Sequence, residues 1–396
     1  MVLRCQLVAV LLFFVAACGA SPTTSPQADP TGAQAPAADI PATSTPDAGS
    51  PTAAAPTAGS SEMTGLETLY AEVEGLTGDE RRERLISLAQ EEGGELSLYT
   101  SQNLDDFGPI GAAFEAATGI VPMPYRAGAD TVRQRVIAEA AAGQSSADVI
   151  QFHSLEMTIL DREGLLAPLR SPTTENIMEE AVHDNFGGTW LNVFVAAWNT
   201  DAVPPGEAPQ TWEDVLTNYG GRIALESTDW GWFGTLVTEH FVAEEGMTEE
   251  EAIALFAEAA SGGSAHQGHT AMAELLVAGE FDIAPSLYID RVTQMKGDGL
   301  PIEWQEPVQP LVILPDGIAI SAHTQRPATA LLYVEFMMTE GQQMLADAGL
   351  TPASPTLSGL SSYETLTMDL DAMLDEQDKW QTLYEEQVLT KVGNAP

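Results

Sequence analysis

Strand-like and helix-like segments alternate through the body of this chain, and that alternation limits the folds open to it. Leu96–Thr100 reads as a strand, Pro109–Thr118 as an amphipathic helix and Ile120–Tyr125 as a second strand. Thr131–Ala142 reads as a second helix and Asp148–Phe152 as a third strand. Strand, helix and strand in repeated order dictate a parallel sheet with helices on both faces. Upstream, Leu66, Leu69, Tyr70 and Val73 recur at helical spacing. Thr77 and Glu80 then have the spacing of a capping box, opening a helix that stops at Gly93-Gly94. Downstream, strands are expected at Phe194–Trp198, Ile223–Leu225, Asp282–Ala284, Pro301–Trp304 and Ile318–Ile320. Helices are expected at Trp212–Leu216, Thr248–Ala260, Ala271–Ala278, Pro327–Met338 and Gly341–Ala348. Roughly 330 residues of this kind exceed the usual size of one core, so two α/β lobes with a ligand cleft between them are expected.

The charge balance narrows the function. Fifty-eight acids against fifteen Lys and Arg give a formal net charge of -43, which repels nucleic acid and anionic membrane surfaces. The only two cysteines are Cys5 and Cys18, so the body can hold neither a disulfide nor a thiolate zinc site. The amino terminus reads as an address: Arg4, the apolar run Leu7–Val15, then small residues. Val15-Ala16-Ala17-Cys18-Gly19 resembles a bacterial lipobox, which implies a signal peptide over 1–17 and lipidation of Cys18. An ordinary signal peptide with an incidental cysteine is the plainer alternative. Residues 18–62, rich in Pro, Ala, Thr and Ser, cannot bury enough surface to offset ordering and read as a disordered tether.

Several segments of the body resemble bacterial ABC-transporter solute-binding proteins of family 1, the ferric-ion-binding branch. They include Leu98-Tyr99-Thr100-Ser101-Gln102, Phe114–Ile120, Arg135–Glu139, Gly164–Pro168, Trp198–Thr200, Ala208–Leu216, Gly299–Trp304 and Glu340–Gly349. The resemblance implies a two-lobed, type II periplasmic-binding-protein-like α/β fold, each lobe a mainly parallel sheet flanked by helices, with a hinge between. One lobe would comprise 63–192 and 318–350 and the other 193–317, with 351–396 a helical segment packing on them. It also implies ABC permease and ATPase partners, an extracytoplasmic lipid-anchored location, a monomer, and no required cofactor.

Ligands bind outside the carboxyl ends of parallel strands, which brings forward Ser101 and Asn103 after the first strand and His153 and Glu156 after the third. From the other half come Asp229, Trp230 and Trp232, in a Gly- and aromatic-rich loop over Ser227–Gly234, and Tyr288. Mapped on the iron-binding relatives, Asn103 stands where a His is usual, His153 where a Glu is usual, and Tyr288 where tyrosines are paired. Tyr288, His153 and Glu156 are then the metal candidates, holding a bound ferric ion with a synergistic anion. A small organic or phosphorylated solute (phosphonate, sugar phosphate, thiamine or polyamine) is the alternative, with the aromatic side chains covering it. His266 and His269 lie at i, i+3 spacing but near Gly262-Gly263 and Gly268, where exposed histidines are common. Arg126, Arg133 and Arg135 could grip a carboxylate or phosphate, but Arg133 and Arg135 sit on a helix with many acids, where solvated pairs are the stronger reading. No Gly-x-Ser-x-Gly, phosphate-binding Gly-rich loop or His-Glu-x-x-His occurs. An enzyme on the same fold is therefore the remote alternative, and the expectation is a binding protein.

Overall fold

The structure, a computed structural model, describes residues 65–393 with the exception of Ser145. The signal peptide, Cys18 and the tether lie outside the described residues. In chain order the elements are α1 (Gly65–Glu72), α2 (Gly78–Glu91), β1 (Glu95–Thr100), α3 (Leu104–Thr118), β2 (Val121–Arg126), α4 (Ala129–Ala141), β3 (Val149–His153) and α5 (Ser154–Arg162). Then come β4 (Phe186–Asn199), α6 (Trp212–Asn218), β5 (Ala224–Glu226), α7 (Trp230–Thr235), α8 (Glu249–Ala260), β6 (Ser264–His266), α9 (His269–Ala278), β7 (Ile283–Tyr288) and α10 (Ile289–Gly297). The chain finishes with β8 (Ile302–Glu303), β9 (Leu311–Ile320), α11 (Pro327–Met337), α12 (Glu340–Asp347), β10 (Thr365–Thr367), α13 (Leu370–Asp375) and α14 (Gln377–Leu383).

The main sheet runs β2-β1-β3-β9-β4-β7, and β5 pairs separately with β6. β1 is parallel to β2 and β3, as the strand–helix alternation requires. β9 runs antiparallel to both β3 and β4, and β4 antiparallel to β7, so the sheet is mixed. The sequence pattern caught only the ends of these two long strands. β4 begins near Gly187-Gly188, where a Cβ on Gly188 would sit 2.7 Å from the Cβ of Ala181; those glycines let the strand pass close to its neighbours and hide its β character.

Both long strands change partners along their length. β9 pairs with β10 through Leu311–Ile313 and with β3 through Asp316–Ile320. β4 pairs with β9 up to Phe194 and with β7 from Phe194 to Trp198. They are buried throughout, and the period-2 alternation of side chains divides the core between the two sheet faces. Leu96, Leu98, Val193, Val195 and Ala197 join one cluster; Tyr99, Phe152, Phe194, Ala196 and Trp198 join the other.

Local signals hold unevenly. The box expected at Thr77 does not form: its backbone is extended at the N-cap, but its side chain makes no capping bond. Thr248 and Glu251 form both halves of the same motif at the start of α8, as do Thr211 and Asp214 at α6. The Ser227–Gly234 stretch expected as a loop is half helix: its aromatic residues open α7, which widens into a π-helical stretch over Leu236–Glu244. Trp232 and Phe233 are buried, and that burial overrides the glycines around them.

Candidate functional site

A cavity of about 760 Å³ opens where the ends of β3, β5 and β7 converge. One wall comes from His153, the last residue of β3, and from Leu155 and Glu156 in the first turn of α5. The facing wall comes from Glu226 at the end of β5, Asp229 ahead of α7, His269 opening α9 and Tyr288 ending β7. Trp230 and Trp232 line it too, and the amino-terminal part of α4 contributes Asp130 and Arg133.

The facing wall is tightly bonded. Glu226 Oε1 accepts the Gly268 N–H at 2.8 Å, and Oε2 accepts from the Thr228 N–H at 2.6 Å and the Thr228 hydroxyl at 2.7 Å. His269 Nε2 lies 3.1 Å from both Asp229 oxygens. The Tyr288 ring stacks on the His269 ring, centroids 4.0 Å apart and planes at 22°. Burial opposes the charged form of His269, but the Asp229 carboxylate, backed by Glu226, outweighs it and raises the imidazole pKa. Burial likewise raises the pKa of the Asp229 carboxyl, against the pull of His269.

The wall of α5 is bonded loosely. His153 Nε2 stands 3.6 Å from Asp316 Oδ2, too far for a good hydrogen bond. Asp316 lies opposite His153 in the β3–β9 register, is 1% exposed and accepts from Asn192 Nδ2 at 3.1 Å. Its Oδ1 and the Oε2 of Glu156 are buried with no hydrogen-bond partner. Burial pushes the Asp316 carboxyl up to about 6, against the pull of His153 and Asn192. Burial, reinforced by Asp229, Asp316, Glu226 and Glu156, holds the Tyr288 phenol well above its ordinary pKa.

Six of the eight sequence-predicted ligand residues therefore meet in one cavity: His153, Glu156, Asp229, Trp230, Trp232 and Tyr288. Ser101 and Asn103 do not line it. The Ser101 N–H bonds to the Gln151 carbonyl, and the exposed Asn103 accepts from Arg126 at the start of α3. Of the two unplaced histidines, His269 lines the cavity while His266 bonds to Ser264. Of the three arginines weighed, only Arg133 reaches the cavity, paired with Asp130 at 2.7 Å; Arg135 pairs with Glu139.

The carboxyl-terminal segment, expected from the sequence to be helical and to pack on the lobes, supplies a third side. Leu374, Gln377, Gln381, Tyr384 and Glu385 line the cavity, three of them at the i, i+4, i+8 spacing of one helix face. The segment is anchored by buried Trp380 against Phe233 and by the Tyr384 hydroxyl, which donates to the Glu226 carbonyl at 2.7 Å. Arg162 of α5 reaches across to Asp371 at 2.6 Å and Asp375 at 2.7 Å.

The mixed α/β fold, with a polar, acid-lined cavity at the strand ends, is periplasmic-binding-protein-like. The chain belongs to the bacterial extracellular solute-binding protein family, whose model matches residues 110–369. Solved structures of similar fold include iron-bound HitA from Pseudomonas aeruginosa, at 22% identity and a TM-score of 0.59 over 74% of this chain and 98% of that one. Trichodesmium IdiA (FutA) with iron and citrate is similar at 18% identity and TM-score 0.62, over 74% and 99%. The Atu4243-GABA receptor is similar at 16% and 0.63, over 74% and 97%. No curated protein matches the chain in sequence. Among the described residues, no helix is long and apolar enough to cross a membrane.

Proposed function

We propose that this protein is the extracytoplasmic, lipid-anchored capture subunit of an ABC importer, and that its ligand is a cation. The observation that carries the ligand class is the cavity's charge. Five carboxylates line it (Asp130, Glu156, Glu226, Asp229 and Glu385), and Arg133 is the one Lys or Arg among the described lining residues, already paired with Asp130. Such a lining focuses cations and opposes phosphorylated or phosphonate solutes.

Ferric iron with a synergistic anion is the first candidate. It is a hard ion that favours anionic oxygen. Tyr288, Glu156 and His153 face one cavity that also has room for an anion such as the citrate named with the Trichodesmium protein. Because the free phenol is held protonated, iron uptake would release the Tyr288 proton, so affinity would rise with pH. Residues 63–192 with 318–350 would close on 193–317 about β4 and β9, the strands that change partners along their length.

A small organic cation is the second reading. The cavity volume lies within the range usual for small-molecule sites, and Trp230, Phe194 and Tyr288 offer aromatic faces to an ammonium group. Titration with ferric citrate separates the two. Iron capture would give a visible phenolate charge-transfer band that Tyr288→Phe abolishes. No band in the wild type, with a rise in melting temperature on adding spermidine, would replace iron by the organic cation.

A further inference from the structure

We infer that Glu226, Asp229 and His269 form a binding site for a first-row divalent transition-metal ion, with Zn²⁺ as its probe. This site is separate from the Tyr288–His153–Glu156 set discussed for ferric iron. One ligand atom from each of the three residues lies within 4.8 Å of the others, and all three residues line the cavity. Two ligands bound to one ion at about 2.1 Å, with angles of 90° to 110°, stand about 3.0–3.4 Å apart. His269 Nε2 lies 3.1 Å from each Asp229 oxygen, the separation of adjacent ligands on one ion, and the carboxylate would swing off the Nε2 axis to admit it.

Glu226 is held ready by its neighbours. Its Oε2 is occupied by the Thr228 N–H and hydroxyl, while Oε1 accepts only the Gly268 N–H and keeps a lone pair. Donors outside the ligand set fix such a carboxylate and sharpen metal affinity. One imidazole with two carboxylates suits a borderline ion such as Zn²⁺ better than Mg²⁺, which prefers oxygen alone and retains its water.

The exchange is balanced. A divalent ion enters, its bond to Nε2 takes the place of the hydrogen bond to Asp229, and any proton on Nε2 leaves to solvent.

A second His-and-carboxylate group, Glu213, His240 and Glu245, supplies an internal control. Zn²⁺ is added to the full mature chain and melting is followed. Zn²⁺ should raise the melting temperature by about 5 °C or more, and Mg²⁺ by less than about 1 °C. Asp229→Asn and Glu226→Gln should each remove the zinc shift, and His240→Gln should keep it. X-ray absorption at the zinc edge of the wild type should find one imidazole among oxygen ligands, a readout that does not depend on any variant folding. No zinc shift, a shift lost with His240→Gln but kept by Asp229→Asn, or a first shell without imidazole would each overturn the site. The ferric band belongs to a different titration, so failure of the iron reading and failure of this one are told apart.

Discussion

Glu226 and Asp229 on one wall of the cavity have their carboxylates bonded to backbone, hydroxyl and imidazole groups. On the facing side, Glu156 Oε2 in the cavity wall and Asp316 Oδ1, which does not line the cavity, are buried without a partner, and His153 stands 3.6 Å from its nearest carboxylate. The residue types are the same and the energetics opposite. A bonded wall is rigid before ligand arrives, so little of the binding energy goes to ordering it. Buried oxygens left unpaired cost stability in the free protein and regain it when a cation arrives. One wall thus provides shape and the other provides the drive to bind.

The largest expected effect comes from loosening the rigid wall. Trp380 is fully buried and packs on Phe233 beside α7. Trp380→Ala should cost about 3–5 kcal/mol in chemical denaturation. Hydrogen exchange should then rise over 226–235 and stay unchanged over 149–156. Equal loosening of both walls would erase the distinction.

Next in size is the cost carried by the loose wall. The Asp316 carboxyl, pushed up to about 6 in the folded chain, binds protons more tightly there than in the unfolded chain. Folded protein then loses stability as pH rises from about 4 through about 6. Asp316→Asn should recover up to about 3 kcal/mol near pH 8 and almost nothing near pH 4. A gain independent of pH would mean that this carboxylate is not the source.

Glu156→Gln is a subtler probe. The Glu156 side chain is only partly buried, so the charge change should move ligand-free stability by less than about 0.5 kcal/mol. Affinity for the cation that the cavity takes up should fall about 10- to 100-fold, the size of a lost charge-assisted contact. Unchanged affinity would remove this wall from the site. The smallest effects belong to Ser101→Ala and Asn103→Ala, outside the cavity lining, where both stability and affinity should hold within about 0.5 kcal/mol.

Which parts of this were legible in the sequence follows from how far apart the partners lie. His153 and Glu156 follow directly on β3, and a strand ending in a polar turn is a local signal. Tyr288 stands in the same way at the end of β7. The Asp229–His269 pair spans forty residues and a Gly-rich stretch, so His269 reads as an exposed loop histidine until β5 and β6 are seen to pair. Gln377, Gln381 and Glu385 do carry a helical spacing, but nothing local says what that face meets. Asn103 was misleading because a polar residue after a strand serves equally well ahead of a helix, which is where it sits. The mixed sheet was hidden because β4 and β9, buried on both faces, lack the polar alternation that marks a half-exposed antiparallel strand.

The central claim is that this cavity captures a cation between a rigid wall and an unsatisfied one. It is tested most directly by purifying the protein from its own cells without added solutes, weighing the intact complex by native mass spectrometry and locating the ligand by crystallography. The expected result is a metal ion or amine held by carboxylates that line this cavity. A phosphate ester or other anion held there by Arg133, or a ligand bound outside this cavity, would contradict it.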